Sequence, residues 1–205
     1  MAKHALDLPL SIRSTGDVSL AVLETAFDEI YWATQVCVDE RQYFYKSFDA
    51  PSFVQLVAAL PWWGQLGISA AGVVVSGYLK EAGSSIWKSQ PAFGKFVSEK
   101  LWSLASRIVA FQPLISANTR IEIGFPLRDE YFPAVLTLTD LSVDSVAFQI
   151  AALCYHHSAL EEFVSSPAFN PASAGRMELQ HDGTIILNWQ ENDEFLSRRS
   201  HSFPI

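Results

Sequence analysis

From Ala50 to Leu79 the chain runs thirty consecutive residues without Asp, Glu, Lys, Arg or His. Leaving Leu66, Ile68, Val73, Val74, Val75 and Leu79 in water would forfeit about 1.5 to 3 kcal/mol each, roughly 9 to 18 kcal/mol together, comparable with the stability of a whole domain. The segment therefore has to be covered, by the chain's own core, a second copy, a protein partner or a bilayer.

Pro61 divides this stretch. The sequence predicts a short helix over 52–60 and a second from Trp62 to about Lys88, with the proline near a helix start, where a missing N–H costs least. Thirty residues exceed the roughly 20 that cross a bilayer as a helix. Gly64, Gly67, Gly72 and Gly77, with Gln65, Ser69 and Ser76, dilute the apolar payload below that of a leucine-rich span. The Gly67/Ala71 and Gly72/Ser76 spacings allow close helix approach in a membrane or in a soluble bundle. Trp62 and Trp63 stand where an interfacial aromatic pair would be placed. Downstream, Lys80, Lys88, Lys95, Lys100 and Arg107 outnumber Glu81 and Glu99, a local +3 in a chain whose formal net charge is −8. That polarity suits an anionic headgroup surface. The expected interaction set is Trp62, Trp63, Leu66, Ile68, Val73, Val74, Val75 and Leu79, flanked by this basic patch.

The rest of the chain reads as ordinary α and β elements. Leu6, Leu8, Leu10 and Ile12 alternate with polar residues, predicting an edge strand at Pro9. Asp17 is positioned to cap a helix carrying Leu20, Leu23, Ala26, Phe27 and Ile30. Two β-prone runs around Val36–Val38 and Tyr43–Tyr45 suggest a hairpin or an interrupted strand. Phe93, Leu101, Leu104, Ile108 and Ile115 share one face of an amphipathic helix. Ile121, Ile123 and Phe125 predict a strand, as does the run from Val135 to Thr139. Asp140 or Ser142 can cap a long helix reaching about Ser165. Asp182-Gly183, between two β-prone runs, is the signature of a hairpin with a two-residue turn.

The fold class expected is therefore α+β, a mixed or antiparallel sheet packed against helices with an apolar helical insertion. Residues 1–48 and 117–192 would build the domain, 49–116 the insertion, and 193–205 a polar C-terminal tail.

Chemistry is sparsely signalled. On the long helix, His157 and Glu161 fall four apart inside a broad apolar face of Val146, Ile150, Leu153, Cys154 and Leu160, so a carboxylate could orient the imidazole for acid–base work. His156 is expected on the solvated flank. The pair lacks the further ligands and spacing of a zinc site, and no phosphate-cradling loop or nucleophile elbow is present, so neither metal nor cofactor is expected. The acidic balance opposes a nucleic-acid backbone. Cys37 and Cys154 read as small buried hydrophobes. With Asp7 and Pro9 interrupting any apolar leader, this favours a cytoplasmic setting, with membrane association in an activated state.

The leading expectation is a non-enzymatic adaptor or subunit that docks its glycine-rich apolar segment on a protein partner or a second copy. The alternatives are a membrane-acting effector that inserts the 52–88 helices after activation onto an anionic surface, and a hydrolase or transferase using His157 and Glu161.

Overall fold

Alternating apolar side chains become one buried face only when strands are paired in register, and that pairing is explicit in the computed structural model of the chain. It describes residues 10–15, 18–19, 21–26, 28, 41–44, 51–67, 99–127, 133–167, 169–193 and 195–205. Eight strands form one sheet that does not close into a barrel: β1 (Ser11–Thr15), β2 (Arg41–Phe44), β3 (Phe53–Val57), β4 (Arg120–Pro126), β5 (Pro133–Thr137), β6 (Gly175–Leu179), β7 (Ile185–Gln190) and β8 (Arg198–Phe203). Their spatial order is β2-β1-β3-β4-β5-β6-β7-β8. The β1/β2, β3/β4 and β5/β6 pairs are parallel and the other four antiparallel, so the sheet is mixed.

Parallel neighbours need a crossover, and each of these three connections contains helix. Residues 21–26 are helical between β1 and β2; α1 (Leu60–Gly67) and α2 (Glu99–Phe111) lie between β3 and β4; α3 (Val143–Ser165) joins β5 to β6. Register aligns Ile12, Leu56, Ile123, Leu136, Met177 and Leu187 across the sheet. All belong to one buried cluster shared with Trp63 of α1, Leu104 and Ile108 of α2, and Val146, Ile150 and Leu153 of α3. The α2 positions Leu101, Leu104, Ala105 and Ile108 follow the helical stripe read from sequence. The opposite sheet face carries a buried polar row of Arg13, Gln55 and Glu122 in register, ending at Thr137. There the Glu122 carboxylate accepts from Gln55 Nε2 at 2.7 Å and from Thr137 Oγ1 at 3.2 Å.

The α+β class holds, as do the long helix and the β4/β5 pair. Ser142 is its N-cap, its hydroxyl accepting from Ser145 N–H at 3.3 Å, while Asp140 instead takes a positive φ of 47° in the preceding turn. Ser19 stands at the start of the first helical stretch, its carbonyl accepting from the N–H groups of Val22 and Leu23. Asp17 lies outside the described residues.

Several expectations are corrected. Residues 52–60 are not a helix: Phe53–Val57 is an interior strand between β1 and β4. A run buried on both faces and apolar at every position but Gln55 carries too little alternation to reveal it. The segment expected as a helical insertion thus supplies a central strand. Strand β1 is interior among the described strands, not an edge, and β2 runs parallel to it; the hairpin or interrupted strand expected around Val36–Val38 and Tyr43–Tyr45 falls partly outside the described residues. The β6/β7 turn has three residues, His181, Asp182 and Gly183. Gln180 N–H donates to the Thr184 carbonyl at 2.8 Å, and Gly183 takes the left-handed conformation with φ 86°. The supposed tail pairs as β8 with β7. The apolar stretch beyond Gly67 as far as residue 98, and Leu6, Leu8, Val36, Val38 and Cys37, lie outside the described residues.

Two close approaches position these elements, one holding α1 to the sheet and one holding β4 to β5. Trp63 is fully buried and its indole N–H is shared between the carbonyls of Ala58 at 3.1 Å and Gly124 at 2.8 Å. A side chain at Gly124 would collide with the Ala134 carbonyl on the neighbouring strand, so glycine is required there.

Candidate functional site

The two residues expected to do chemistry, His157 and Glu161, lie one turn apart on α3 and differ in burial. His157 is half-buried, its Nδ1 bonded to the Cys154 carbonyl at 2.8 Å and its Nε2 3.0 Å from the Ser158 hydroxyl. Since a carbonyl can only accept, Nδ1 carries the proton and the serine donates to Nε2 in the neutral ring. Its ring lies against Gly64 of α1. Glu161 is exposed one turn on, and neither of those ring hydrogen bonds goes to it. The inward histidine is His156, only 3% exposed, which corrects its expected solvated position. Nε2 donates to the Gly183 carbonyl at 3.0 Å, tying α3 to the β6/β7 turn. Burial lowers its pKa, partly offset by that backbone bond. Helix α3 packs on α1, α2 and the sheet, so its buried arc runs through Val146, Gln149, Leu153, His156 and Leu160 rather than along one narrow stripe.

The expected interaction set also divides. Trp63 and Leu66 are buried in the chain's own core, with Trp62 packed against it. Ile68, Val73, Val74, Val75 and Leu79 lie outside the described residues, as do Lys80, Lys88 and Lys95 of the basic patch. Lys100 and Arg107 are exposed on α2. Among the described residues no helix is long and apolar enough to cross a membrane, and no cluster of three or more His, Cys, Asp or Glu could hold a metal ion. The single described cysteine, Cys154, is buried.

What the sequence reading missed is the β7/β8 end of the sheet. Phe163, near the end of α3, stacks on His201 with centroids 4.3 Å apart and planes 14° apart, and meets Phe169, Trp189 and Phe203 at 5.2 to 5.6 Å. At the rim of this cluster a cleft of about 410 Å³ is lined by Phe163, Ser166, Trp189, Glu191, Asp193 and Arg199, among others. Trp189 Nε1–H donates to Glu191 at 2.9 Å.

Beside the cleft the chain turns tightly. Asp193 Oδ1 accepts from the N–H groups of Phe195 at 3.1 Å and Ser197 at 2.9 Å. These bonds, that from Ser197 foremost, hold its carboxyl below the usual carboxylate range. Within the turn Leu196 has φ 47°, a conformation a branched side chain rarely adopts. Phe195 is 85% exposed and Leu196 50% exposed, two of three large hydrophobics so exposed among the described residues, with Leu114 the third. The sequence signal for this site is an isolated apolar pair, Phe195-Leu196, inside an otherwise polar stretch.

No family model matches the chain, and neither a curated protein nor a solved structure shows significant similarity to it.

Proposed function

We propose that the chain is a non-enzymatic adaptor or complex subunit, and that it docks its protein partner through the β7/β8 end of the sheet. The carrying observation is the Phe195-Leu196 turn: two large apolar side chains held in water on a backbone where Leu196 is strained. Covering the pair would recover about 1.5 to 3 kcal/mol for Phe195 and about half that for Leu196, which is already half covered. The left-handed leucine costs about 1 to 2 kcal/mol that a glycine would avoid. Folding alone gives no reason to keep either feature, whereas presenting an anchor does. The original docking segment supports this reading less, because Trp63 and Leu66 already have their cover within the chain.

A photo-crosslinking residue at position 195, in the protein expressed in its native cell, tests the proposal. The expected result is an adduct of defined mass from position 195 and none from position 116, an exposed turn site preceding β4. Equal labelling at the two positions, or none at 195, overturns it.

A further inference from the structure

We infer that the occupant of this surface is an extended, acidic segment of another protein that adds to the outer edge of β8; this rests on the docking reading above. Strand β8 is last in the sheet order, and Arg198, Arg199, Ser200, His201 and Ser202 are all exposed. Which backbone groups face outward follows from the ladder. Glu191 N–H donates to the Ser197 carbonyl at 2.8 Å, which makes that pair a hydrogen-bonded one. Bonded and non-bonded pairs alternate along an antiparallel ladder. Arg199, His201 and Phe203 therefore bond to β7, while Arg198, Ser200 and Ser202 point their N–H and C=O groups away from it. An incoming strand finds three donors and three acceptors already spaced for pairing.

Side-chain charge selects the occupant. Arg198 and Arg199 lie on opposite faces of β8, so the strand that complements them carries two consecutive carboxylates, one for each face. A second copy is disfavoured by the same arginines. An antiparallel β8–β8 pair centred on Ser200 would set Arg199 against the copy's His201, and β8 has no carboxylate to balance either arginine. Like-charged edges of this kind discourage self-pairing while leaving the edge open to a complementary strand. The formal charge of −8 does not prevent this, because charges beyond about 8 Å are largely screened at physiological salt. Ser200 and Ser202 are small enough for close approach. An antiparallel segment passing Arg198 runs on toward Phe195 and Leu196, so its carboxylates are followed by apolar residues.

The test uses two short labelled β-prone peptides with an apolar C-terminal end, one with two adjacent glutamates and one with lysines in their place, titrated into the full chain by fluorescence anisotropy. Tighter binding of the glutamate peptide, by about tenfold for two partly exposed ion pairs, is expected. The double variant Arg198→Glu, Arg199→Glu should invert the preference. Ser200→Pro removes an outward N–H without touching the β7 ladder and should abolish binding; alternate N-methylation of the peptide should do the same, so the outcome does not hang on that variant folding. Equal binding of the two peptides, an uninverted preference, binding indifferent to N-methylation, or a concentration-dependent dimer by light scattering each overturns the acidic-strand assignment. If position 195 still crosslinks in cells, the docking reading survives that failure; if it does not, the reading itself has failed.

Discussion

Gly64 and His157 make a contact whose energetics can be worked out in advance. A methyl group built at Gly64 would enter the imidazole, 2.5 Å from Cδ2 and 2.8 Å from Cε1, where ordinary contacts begin near 3.4 Å. The ring cannot swing away freely, because Nδ1 is held by the Cys154 carbonyl and Nε2 meets Ser158. Relief requires either breaking those bonds or spreading α1 from α3. Overpacking of this kind costs about 1 to 3 kcal/mol. Against it, alanine is favoured over glycine inside a helix by about 0.8 to 1 kcal/mol. A clash under 3.0 Å belongs in the upper half of the overpacking range, so Gly64→Ala should destabilise by about 1 to 2 kcal/mol in the native background. With His157→Ala the obstacle is gone and only the helix term remains, so the same substitution should stabilise by up to about 1 kcal/mol. Urea denaturation of the four proteins in this cycle reads the result as shifts in midpoint at constant slope. A cost of Gly64→Ala that is unchanged when His157 is removed, or no cost at all, would refute the argument.

Three further outcomes follow from the same contacts. Trp63→Phe deletes the N–H shared by Ala58 and Gly124 and leaves a small void, so urea denaturation should show a loss of about 2 to 3 kcal/mol. His156 has a lowered folded-state pKa, so between that value and its unfolded pKa of about 6.5 the unfolded chain binds more protons. Its contribution is complete above about pH 6.5 and is lost as pH falls, with a slope of at most about 1.4 kcal/mol per pH unit, and His156→Gln should flatten the acid limb of stability against pH. Leu196→Gly relieves the positive φ and should leave thermal stability unchanged or raise it by up to about 1 kcal/mol, while weakening the crosslink from position 195; a clear loss of stability would show that the leucine is retained for folding.

The features legible in the sequence are those in which one side of an element is apolar and the other polar. Helix α2 shows its stripe at Leu101, Leu104 and Ile108, and Ile121, Ile123 and Phe125 alternate with Glu122 and Gly124, which face the other way although they too are buried. Phe53–Val57 fails that test for the opposite reason to β8. The first is buried on both faces and apolar at every position but Gln55, so it resembles a buried helix; the second is exposed on both, so Arg-Arg-Ser-His-Ser resembles a tail. The histidine assignment failed on α3 because a wheel drawn for a single stripe does not know how many neighbours the helix has. With α1, α2 and the sheet all against it, the dry arc passes through His156. The Phe195-Leu196 turn was hidden by its own composition: Asp193 shapes it through side-chain bonds to backbone that only the folded loop reveals.

Phe163 decides how firmly that turn and β8 are held to the body. Helix α3 reaches this end of the sheet through few anchors: the His156 bond to Gly183, and the ring of Phe163 set among Phe169, Trp189, His201 and Phe203. Aromatic pairs contribute about 0.5 to 1.5 kcal/mol each beyond area burial, so replacing this hub with Leu removes about 2 kcal/mol or more of packing at one end. The core around Ile123, Leu136 and Ile150 keeps its contacts. Local opening free energies differ across a structure, and β8, with one neighbour and exposed side chains, belongs at their low end. In Phe163→Leu the amides of Arg199, His201 and Phe203, which bond inward to β7, should lose protection from hydrogen exchange by tenfold or more, about 1.4 kcal/mol, while those of Ile121 and Ile123 change only with global stability. Equal loss in β4 and β8 would mean that the two ends open as one cooperative unit. The β8 edge would then be as rigid as the core, and the aromatic cluster would no longer explain how that edge is positioned.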